Sequence, residues 1–235
     1  MCTVSYVPLG SGQFILTSNR DEDPSRVTIE PGEETTIIES GSIICPKDSK
    51  AGGSWIGMST KGKVACLLNG AFAKHKHNPP YRKSRGLILM EYFNSISAID
   101  YHNKVDLNGI ENFTLIMLEN GMVYELRWDG EEKFFQLKDE NEPHLWSSCT
   151  LYAEDIAAEK DERFHNWLFS CEQVPTEEEI AFFHGFNNPE GFLLDLPLVK
   201  TVSITSVKRS KSQLAMIYHD LLSNRDTEKF ISINS

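Results

Sequence analysis

The chain opens with two segments that have the composition of paired β-strands, and this hairpin constrains the fold more than any other feature. Residues 2–8 (CTVSYVP) and 13–18 (QFILTS) are rich in β-branched and aromatic residues. The glycine-rich stretch Leu9–Gly12 lies between them and is typical of a tight turn. The sequence therefore predicts an antiparallel hairpin at its very start.

This hairpin would bring Cys2 close to a charged quartet, residues 19–22 (NRDE). A turn centred between Gly10 and Ser11 pairs residues whose numbers sum to about 21, and directly opposed residues have Cβ atoms roughly 4.5–5.5 Å apart. Cys2 is therefore predicted to face Asn19. The rest of the quartet follows immediately on the same strand.

Two hypotheses account for the quartet. In the first, Arg20 stabilises a Cys2 thiolate electrostatically, and Asp21 orients either the arginine or the N-terminal amine. In the second, residues 19–22 form a solvated turn with local ion pairs. Spacing alone leaves both hypotheses open.

Cys2 has a position that suggests chemistry. Removal of Met1 would leave a cysteine with a free α-amino group, whose pKa is ordinarily about 7.7–8.0. Near neutral pH that amine can accept the proton of its own thiol, so nucleophile and general base would belong to one residue. Retention of Met1 would block this chemistry.

Asn69-Gly70 is a second candidate for chemistry. It ends the apolar segment 64–68 and is followed by a basic, proline-bearing loop at residues 71–83 rather than by a partner strand. Hydrolysis through a thioester needs donors for the oxyanion, and an asparagine amide with the next backbone N–H could supply them. An ordinary strand-terminating turn explains the pair equally simply.

Several motifs together resemble the NRDE family, which includes transport and Golgi organization protein 2 and its bacterial relatives. The motifs are Met1-Cys2, the quartet, Arg26, and residues 52–57 (GGSWIG). The resemblance implies a fold like that of the N-terminal-nucleophile (Ntn) hydrolases. That fold is an α+β, four-layer αββα sandwich of two antiparallel sheets. Eukaryotic members are linked to secretory-pathway organisation and to lipid or haem handling.

The same resemblance implies further site residues. Asn69-Gly70 resembles the Asn-Gly pair of the glutamine amidotransferases within the Ntn group, with Gly70 also lying against substrate. Ser148 stands where relatives are expected to carry an asparagine, and it can donate a hydrogen bond. Trp55 is either a wall of the substrate pocket, with one N–H donor, or a plain core tryptophan.

Composition and charge fit one domain covering residues 1–235. The formal net charge of −11, with no basic run to offset it, argues against a nucleic-acid partner. The apolar runs are far shorter than the roughly 20 residues that span a bilayer. The first residues lack the basic and apolar regions of a signal peptide. We therefore expect a cytoplasmic protein.

The five cysteines form no Cys-x-x-Cys pair, which favours free thiols over a disulfide framework or a zinc site. Cys45 and Cys66 lie in apolar segments and are predicted core residues. His75 and His77 have no further ligands at suitable spacing, so the sequence predicts no metal site and no cofactor.

The remaining pattern predicts strands, one helix, a meander, two helices and final strands. Strands are expected at 36–38, 42–45, 54–59, 63–68, 113–118, 122–128, 133–137, 200–208 and 213–218, followed by an irregular end. Helices are expected at 84–96, at 154–169 and after Thr176, where Glu179 completes a capping box. Ile156, Phe164, Trp167 and Leu168 are predicted to form the buried stripe of the second helix.

Two functions fit these observations. The first is an Ntn cysteine hydrolase that cleaves a non-peptide C–N bond, the amide of a small metabolite. The second is a binding or carrier protein that uses the same pocket for a hydrophobic metabolite such as a lipid or haem.

Overall fold

The structure, a computed structural model, describes residues 3–34 and 41–233, which form thirteen strands in two antiparallel sheets and four helices. In spatial order, sheet A contains β10 (His144–Ser147), β1 (Thr3–Gly10), β2 (Gln13–Glu22), β11 (Lys200–Arg209), β12 (Gln213–Asp220) and β13 (Arg225–Ser232). Sheet B is a meander of β3 (Thr28–Glu34), β4 (Ile43–Asp48), β5 (Ile56–Ser59), β6 (Val64–Asn69), β7 (Phe113–Glu119), β8 (Met122–Trp128) and β9 (Lys133–Lys138). The helices are α1 (Arg85–Phe93), α2 (Ala98–Lys104), α3 (Glu154–Ser170) and α4 (Glu177–His184).

Side-chain alternation along β1 explains how the layers stack. Val4 and Tyr6 belong to the large core that includes residues of both sheets, whereas Val7 packs with Phe164 of α3 and Ile180 of α4 in a second cluster. Successive side chains of a strand point to opposite faces, so sheet A has sheet B on one side and helices on the other. With α1 against β6, the predicted four-layer αββα sandwich is confirmed.

The helices confirm one prediction and correct another. Thr176 and Glu179 form the predicted capping box at the start of α4. In α3, Phe164 is fully buried and Trp167 packs against it, but Ile156 is 42% exposed. The expectation that Ile156 is buried is wrong because the first turns of α3 border an open cleft instead of lying on the sheet.

The first hairpin is present, but its register differs by one residue from the prediction. Thr3, not Cys2, lies opposite Asn19. The tight turn is formed by Ser11 and Gly12, both with positive φ (54° and 71°), as two-residue hairpin turns require. A bulge between Pro8 and Gly10 accommodates the extra residue.

Some elements of the structure were not predicted from the sequence patterns. Among them are β3, α2 and β10. The expected irregular end is wrong, because β13 pairs with β12 along its whole length. The expected strand at 36–38 lies outside the described residues. The meander is closest to its prediction, since β8 has the predicted bounds Met122–Trp128.

Candidate functional site

The charged quartet is part of strand β2, and its first three residues are buried. Asn19, Arg20 and Asp21 are 0%, 2% and 3% exposed. The hypothesis of a solvated turn is therefore wrong. Burial of two charged side chains in adjacent positions is costly unless each finds partners, so their partners define the site.

Arg20 is held by sheet B. Its guanidinium donates to Asp48 Oδ2 at 2.8 Å and to Thr28 Oγ1 at 2.7 Å, and it lies 4.4 Å above the ring of Trp55. Burial lowers the pKa of Arg20, while the nearby carboxylates of Glu22 and Asp48 raise it. The arginine is thus a fixed positive charge at the junction of the two sheets.

Asp21 does not hold Arg20, which corrects one half of the prediction. The Asp21 carboxylate accepts hydrogen bonds from Thr201 Oγ1 and, at 3.4 Å, from Tyr152 Oη. Side chains alternate along β2, so neighbouring residues face opposite sides of sheet A. The other half of the prediction, that Asp21 orients the N-terminal amine, concerns residues outside the described part.

Asn19 belongs to a buried polar network beneath α4. His184 Nδ1 lies 2.5 Å from Asn19 Oδ1, and His184 Nε2 lies 2.7 Å from Ser5 Oγ. The Asn19 amide also donates to the carbonyl oxygens of His184 and Phe192. Complete burial lowers the pKa of His184 to about 3, so the imidazole is neutral. This network fixes β1 and β2 to the helical layer.

Cys2 lies outside the described residues, but the strand that starts after it is well defined. Thr3 pairs with Asn19 of β2 on one side and with Ser147 of β10 on the other. Its hydroxyl accepts a hydrogen bond from Lys160 of α3. The start of β1 is therefore enclosed by two strands and a helix.

The pair Asn69-Gly70 ends β6 close to Ser148. Ser148 Oγ donates to the Asn69 carbonyl at 2.6 Å. Gly70 has a φ of +84°, and a Cβ there would lie 2.4 Å from Cys149 Sγ, so this position requires glycine. The Gly70 N–H already donates to Asn112 O at 3.0 Å. The expectation that this N–H serves an oxyanion is therefore wrong, and the Asn69 side chain is the donor that remains.

A cavity of about 90 Å³ lies beside Arg20 and is called the smaller cavity below. Trp55 and Asn69 line it, together with the first residues of α1. Trp55 is 4% exposed and its Nε1 has no hydrogen-bond partner among the described residues. Trp55 is thus a core residue that also forms a wall of the smaller cavity.

Two glycines build this wall. A Cβ on Gly53 would lie 2.4 Å from the backbone of Gly86, and a Cβ on Gly86 would lie 2.9 Å from Ser54 O. The backbone contact includes a hydrogen bond from the Ser54 N–H to Gly86 O at 3.3 Å. Gly53 of the GGSW motif and Gly86 therefore allow the Trp55 segment to lie directly against the start of α1.

A second, larger cleft of about 830 Å³ lies between β10, the end of β6 and α3. Its walls carry apolar side chains, including Leu68, Trp146 and Leu151, and the polar side chains of Tyr152 and Arg127. Alternation along β6 places Leu68 in this larger cleft and Asn69 in the smaller cavity. The end of β6 thus separates the two spaces.

Several residues of this region were missed by the sequence analysis. Asp48, Tyr152, Lys160 and His184 stand far from the quartet in sequence, and no motif marks them. For Arg85 the sequence contains one indication: it directly follows Ser84, which caps α1, so it lies at the start of that helix.

The described cysteines behave as predicted. Cys45 and Cys66 are buried, and neither forms a disulfide. Burial raises the pKa of Cys66 to about 12. Cys149 and Cys171 are also free and partly exposed, and burial raises the pKa of each.

The two histidines of the basic loop share one carboxylate partner, and His75 is half-buried whereas His77 is exposed. His75 Nε2 and His77 Nδ1 lie 3.2 and 3.1 Å from Glu111 Oε1. In the described ranges, no group of three or more His, Cys, Asp or Glu side chains could hold a metal ion. None of the described helices has the length and apolar character needed to cross a membrane.

Comparison with known proteins places the chain in a family. The family model described as Transport and Golgi organisation 2 matches residues 1–173. A segment of 101 residues is 31% identical to the Transport and Golgi organization 2 homolog of Mus musculus and 29% identical to the corresponding homolog of Bos taurus. Each match covers 41% of this chain and 34% of the relative, so the similarity spans about a third of these curated proteins.

Solved structures with the same fold include an acid amidase and a conjugated bile acid hydrolase. The Caenorhabditis elegans ortholog of N-acylethanolamine-hydrolyzing acid amidase has a TM-score of 0.58 at 10% identity, over 87% of this chain and 92% of that chain. A cysteine-to-alanine mutant of the conjugated bile acid hydrolase from Clostridium perfringens has a TM-score of 0.57 at 10% identity, over 100% and 97%. At such identities the likeness establishes the fold alone. The chain belongs to the Transport and Golgi organisation 2 family and has the fold of the Ntn hydrolases.

Proposed function

We propose that the protein is an Ntn cysteine hydrolase that cleaves a non-peptide C–N bond, the amide of a small molecule. Cys2 is the nucleophile after removal of Met1. The observation that carries the proposal is the buried Arg20, fixed by sheet B next to the start of β1 in a fold shared with amidases. A buried cation beside a thiol stabilises its reactive thiolate form.

Thr3, the residue that follows the proposed nucleophile, lies next to these groups. Consecutive Cα atoms are about 3.8 Å apart, so Cys2 cannot lie far from Thr3. Thr3 pairs with Asn19 and Ser147, and the residues that follow these two are Arg20 and Ser148. The proposal therefore needs no long-range rearrangement to bring the thiol near Arg20.

The proposed reaction assigns a role to each group. The Cys2 amine takes the thiol proton, and the thiolate attacks the amide carbonyl. The Asn69 side-chain amide donates to the oxyanion, and Arg20 offsets the negative charge. Collapse expels the amine, which receives the proton held by the Cys2 amine. Water then hydrolyses the thioester and releases the acid, regenerating the thiol.

The larger cleft suits the acyl part of such a substrate. Its volume of about 830 Å³ falls within the range of small-molecule sites, roughly 300–1,000 Å³. Apolar walls with a few polar groups are typical of such sites. The two named neighbours act on an N-acylethanolamine and on conjugated bile acids, which supports an amide with a sizeable apolar acyl group.

The test is a panel of N-acyl amides incubated with protein whose Met1 has been removed. We expect hydrolysis by the processed protein, none by protein that retains Met1, and none by the Cys2→Ala variant. Cys171→Ala is the matched control, since it removes a partly exposed thiol outside the larger cleft and should keep activity. Equal activity of Cys2→Ala and wild type would contradict the proposal.

A second function, carriage of a hydrophobic metabolite such as a lipid or haem, is favoured by the size of the larger cleft. If processed wild type hydrolyses no member of the panel, yet binds acyl chains equally tightly with and without Cys2, the carrier replaces the hydrolase.

A further inference from the structure

The wall of the smaller cavity contains one buried residue whose hydrogen-bond donor has no partner among the described residues. Trp55 is 4% exposed, and its Nε1 has no partner among the described residues. A buried N–H without an acceptor costs about 1–3 kcal/mol. Such a donor in a cavity wall is explained most simply by an acceptor that arrives with a ligand.

The surrounding charge favours an anionic acceptor. Three guanidinium groups line the smaller cavity, those of Arg20, Arg26 and Arg85, against two carboxylates, those of Glu22 and Asp48. The lining therefore has one net positive charge. Both carboxylates are already engaged by Arg20 or Arg26, so they compete little with an incoming anion.

Arg85 is oriented at the entrance to α1 by groups outside the cavity. Its guanidinium pairs with Glu111 at 3.1 Å and donates to Asn112 O at 3.2 Å. It is the first residue of α1, a helix of nine residues whose N-terminus borders the same cavity. The partial positive charge of a helix N-terminus adds to the attraction for an anion.

We propose that the smaller cavity binds a small carboxylate through the Trp55 Nε1–H and the Arg85 guanidinium. A carboxylate only accepts hydrogen bonds, which matches a site built from donors. The volume of about 90 Å³ corresponds to roughly three water-sized groups. It therefore fits a carboxylate with about one methylene.

The substrate class follows if the proposed function also holds, and this step rests on it. Asn69, the proposed oxyanion donor, lines the same smaller cavity. The carboxylate would then lie close to the scissile bond, on its amine side. The substrate class is an N-acyl α-amino acid with a small side chain, such as an N-acylglycine.

The test uses the Cys2→Ala protein, so that binding is observed whether or not the wild type is an enzyme. The chain has four tryptophans, and their indole N–H signals are resolved by ¹H–¹⁵N NMR and assigned for Trp55 with Trp55→Phe. We expect N-octanoylglycine to move the Trp55 indole proton downfield, and the neutral N-octanoylglycinamide to leave it in place.

Two variants complete the test. Trp55→Phe keeps an aromatic ring under Arg20 but loses the N–H, and should weaken binding of N-octanoylglycine about tenfold. Trp167→Phe, on α3 and outside the cavity lining, should not change it. An unmoved Trp55 signal, or equal shifts with both ligands, would overturn the proposal.

The two proposals fail separately. If the indole signal moves but processed wild type hydrolyses no amide, the carboxylate site stands and the hydrolase falls. If N-octanoylglycinamide is hydrolysed as fast as N-octanoylglycine and the signal stays in place, the hydrolase stands and the carboxylate site falls.

Discussion

The buried Arg20 is paired with a carboxylate of sheet B and not with its acidic neighbour in the chain. The quartet places Asp21 next to it in the chain, yet alternation in β2 turns the two side chains to opposite faces of sheet A. Asp48, at the end of β4, supplies the carboxylate instead. Proximity in the sequence pointed to Asp21 as the partner of Arg20, and this was wrong. The actual partner, Asp48, meets Arg20 only because one sheet packs on the other.

The first prediction concerns this ion pair. Asp48→Asn should lower the free energy of unfolding by about 2–3 kcal/mol, somewhat below the 3–5 kcal/mol typical of breaking a fully desolvated pair. Arg20 would then remain buried with an amide in place of its carboxylate. Urea unfolding measures the change. Asp23→Asn, an exposed carboxylate close by, is the control and should change stability by less than about 0.5 kcal/mol. Equal effects of the two variants would contradict the assignment.

The second prediction concerns His184, whose pKa in the folded protein is about 3, lowered from 6.5 by burial. In the unfolded chain the His184 imidazole binds a proton below about pH 6.5. In the folded chain it stays neutral until the pH falls to about 3. Stability is therefore fully present above pH 6.5 and falls as the pH decreases through this window, by roughly 4–5 kcal/mol in total.

His184→Gln removes the titration while retaining hydrogen-bonding groups. We expect the loss of stability between pH 6.5 and pH 3 to be smaller in this variant than in wild type, measured by urea unfolding at each pH. Identical pH profiles would show that the imidazole contributes nothing to acid sensitivity.

At the level of elements, the contact between the GGSW segment and α1 shapes the smaller cavity. Alanine normally stabilises a helix relative to glycine by about 1 kcal/mol. At Gly86 the backbone of Gly53 and Ser54 occupies the place of a Cβ. Helix propensity and packing therefore make opposite predictions for one substitution, and the contact distance decides between them.

The third prediction is that Gly86→Ala lowers the melting temperature, despite the gain in helix propensity, and weakens any ligand of the smaller cavity. Gly32→Ala is the matched control. The nearest atom to an added Cβ there is 3.9 Å away, and Gly32 does not have a positive φ, so its melting temperature should hardly change. If the Gly86→Ala protein is as stable as wild type, α1 can move away from the backbone of Gly53 and Ser54 without cost, which would contradict the prediction.

The hairpins show which strand bounds and registers can be predicted from local sequence patterns. The meander strand β8 matches its predicted bounds because alternation and the Asn120-Gly121 turn agree. The first hairpin is displaced by one residue because the bulge at Pro8 is invisible in the composition. The final strand β13 was missed since four of its eight residues are charged, and its pairing with β12 comes from tertiary structure.

At the scale of the whole molecule, the layers determine which thiols can react. The layers bury Cys45, which lies against Met90 of α1, and Cys66. Burial raises the pKa of Cys66 to about 12. The pKa values of Cys149 and Cys171 are also raised. A thiol with a raised pKa contains little thiolate near neutral pH and reacts slowly with electrophiles. We therefore expect Cys2 to react faster with electrophiles than these four thiols.

The four-layer fold itself was predicted from a few motifs of the first 70 residues, because those motifs belong to a known family. The site was predicted in outline only. Arg20 is buried and lines the smaller cavity together with Asn69. Asp48 and the Trp55 Nε1, unpartnered among the described residues, could not be predicted, because they meet Arg20 only when the two sheets pack together.

The most direct test of Cys2 as the nucleophile is a time course of iodoacetamide labelling near pH 7, with peptide mapping of the protein whose Met1 has been removed. We expect Cys2 to be alkylated first, Arg20→Met to slow this reaction by raising the Cys2 pKa, and protein that retains Met1 to lose the preference. Alkylation of Cys149 or Cys171 ahead of an inert Cys2 would contradict this expectation.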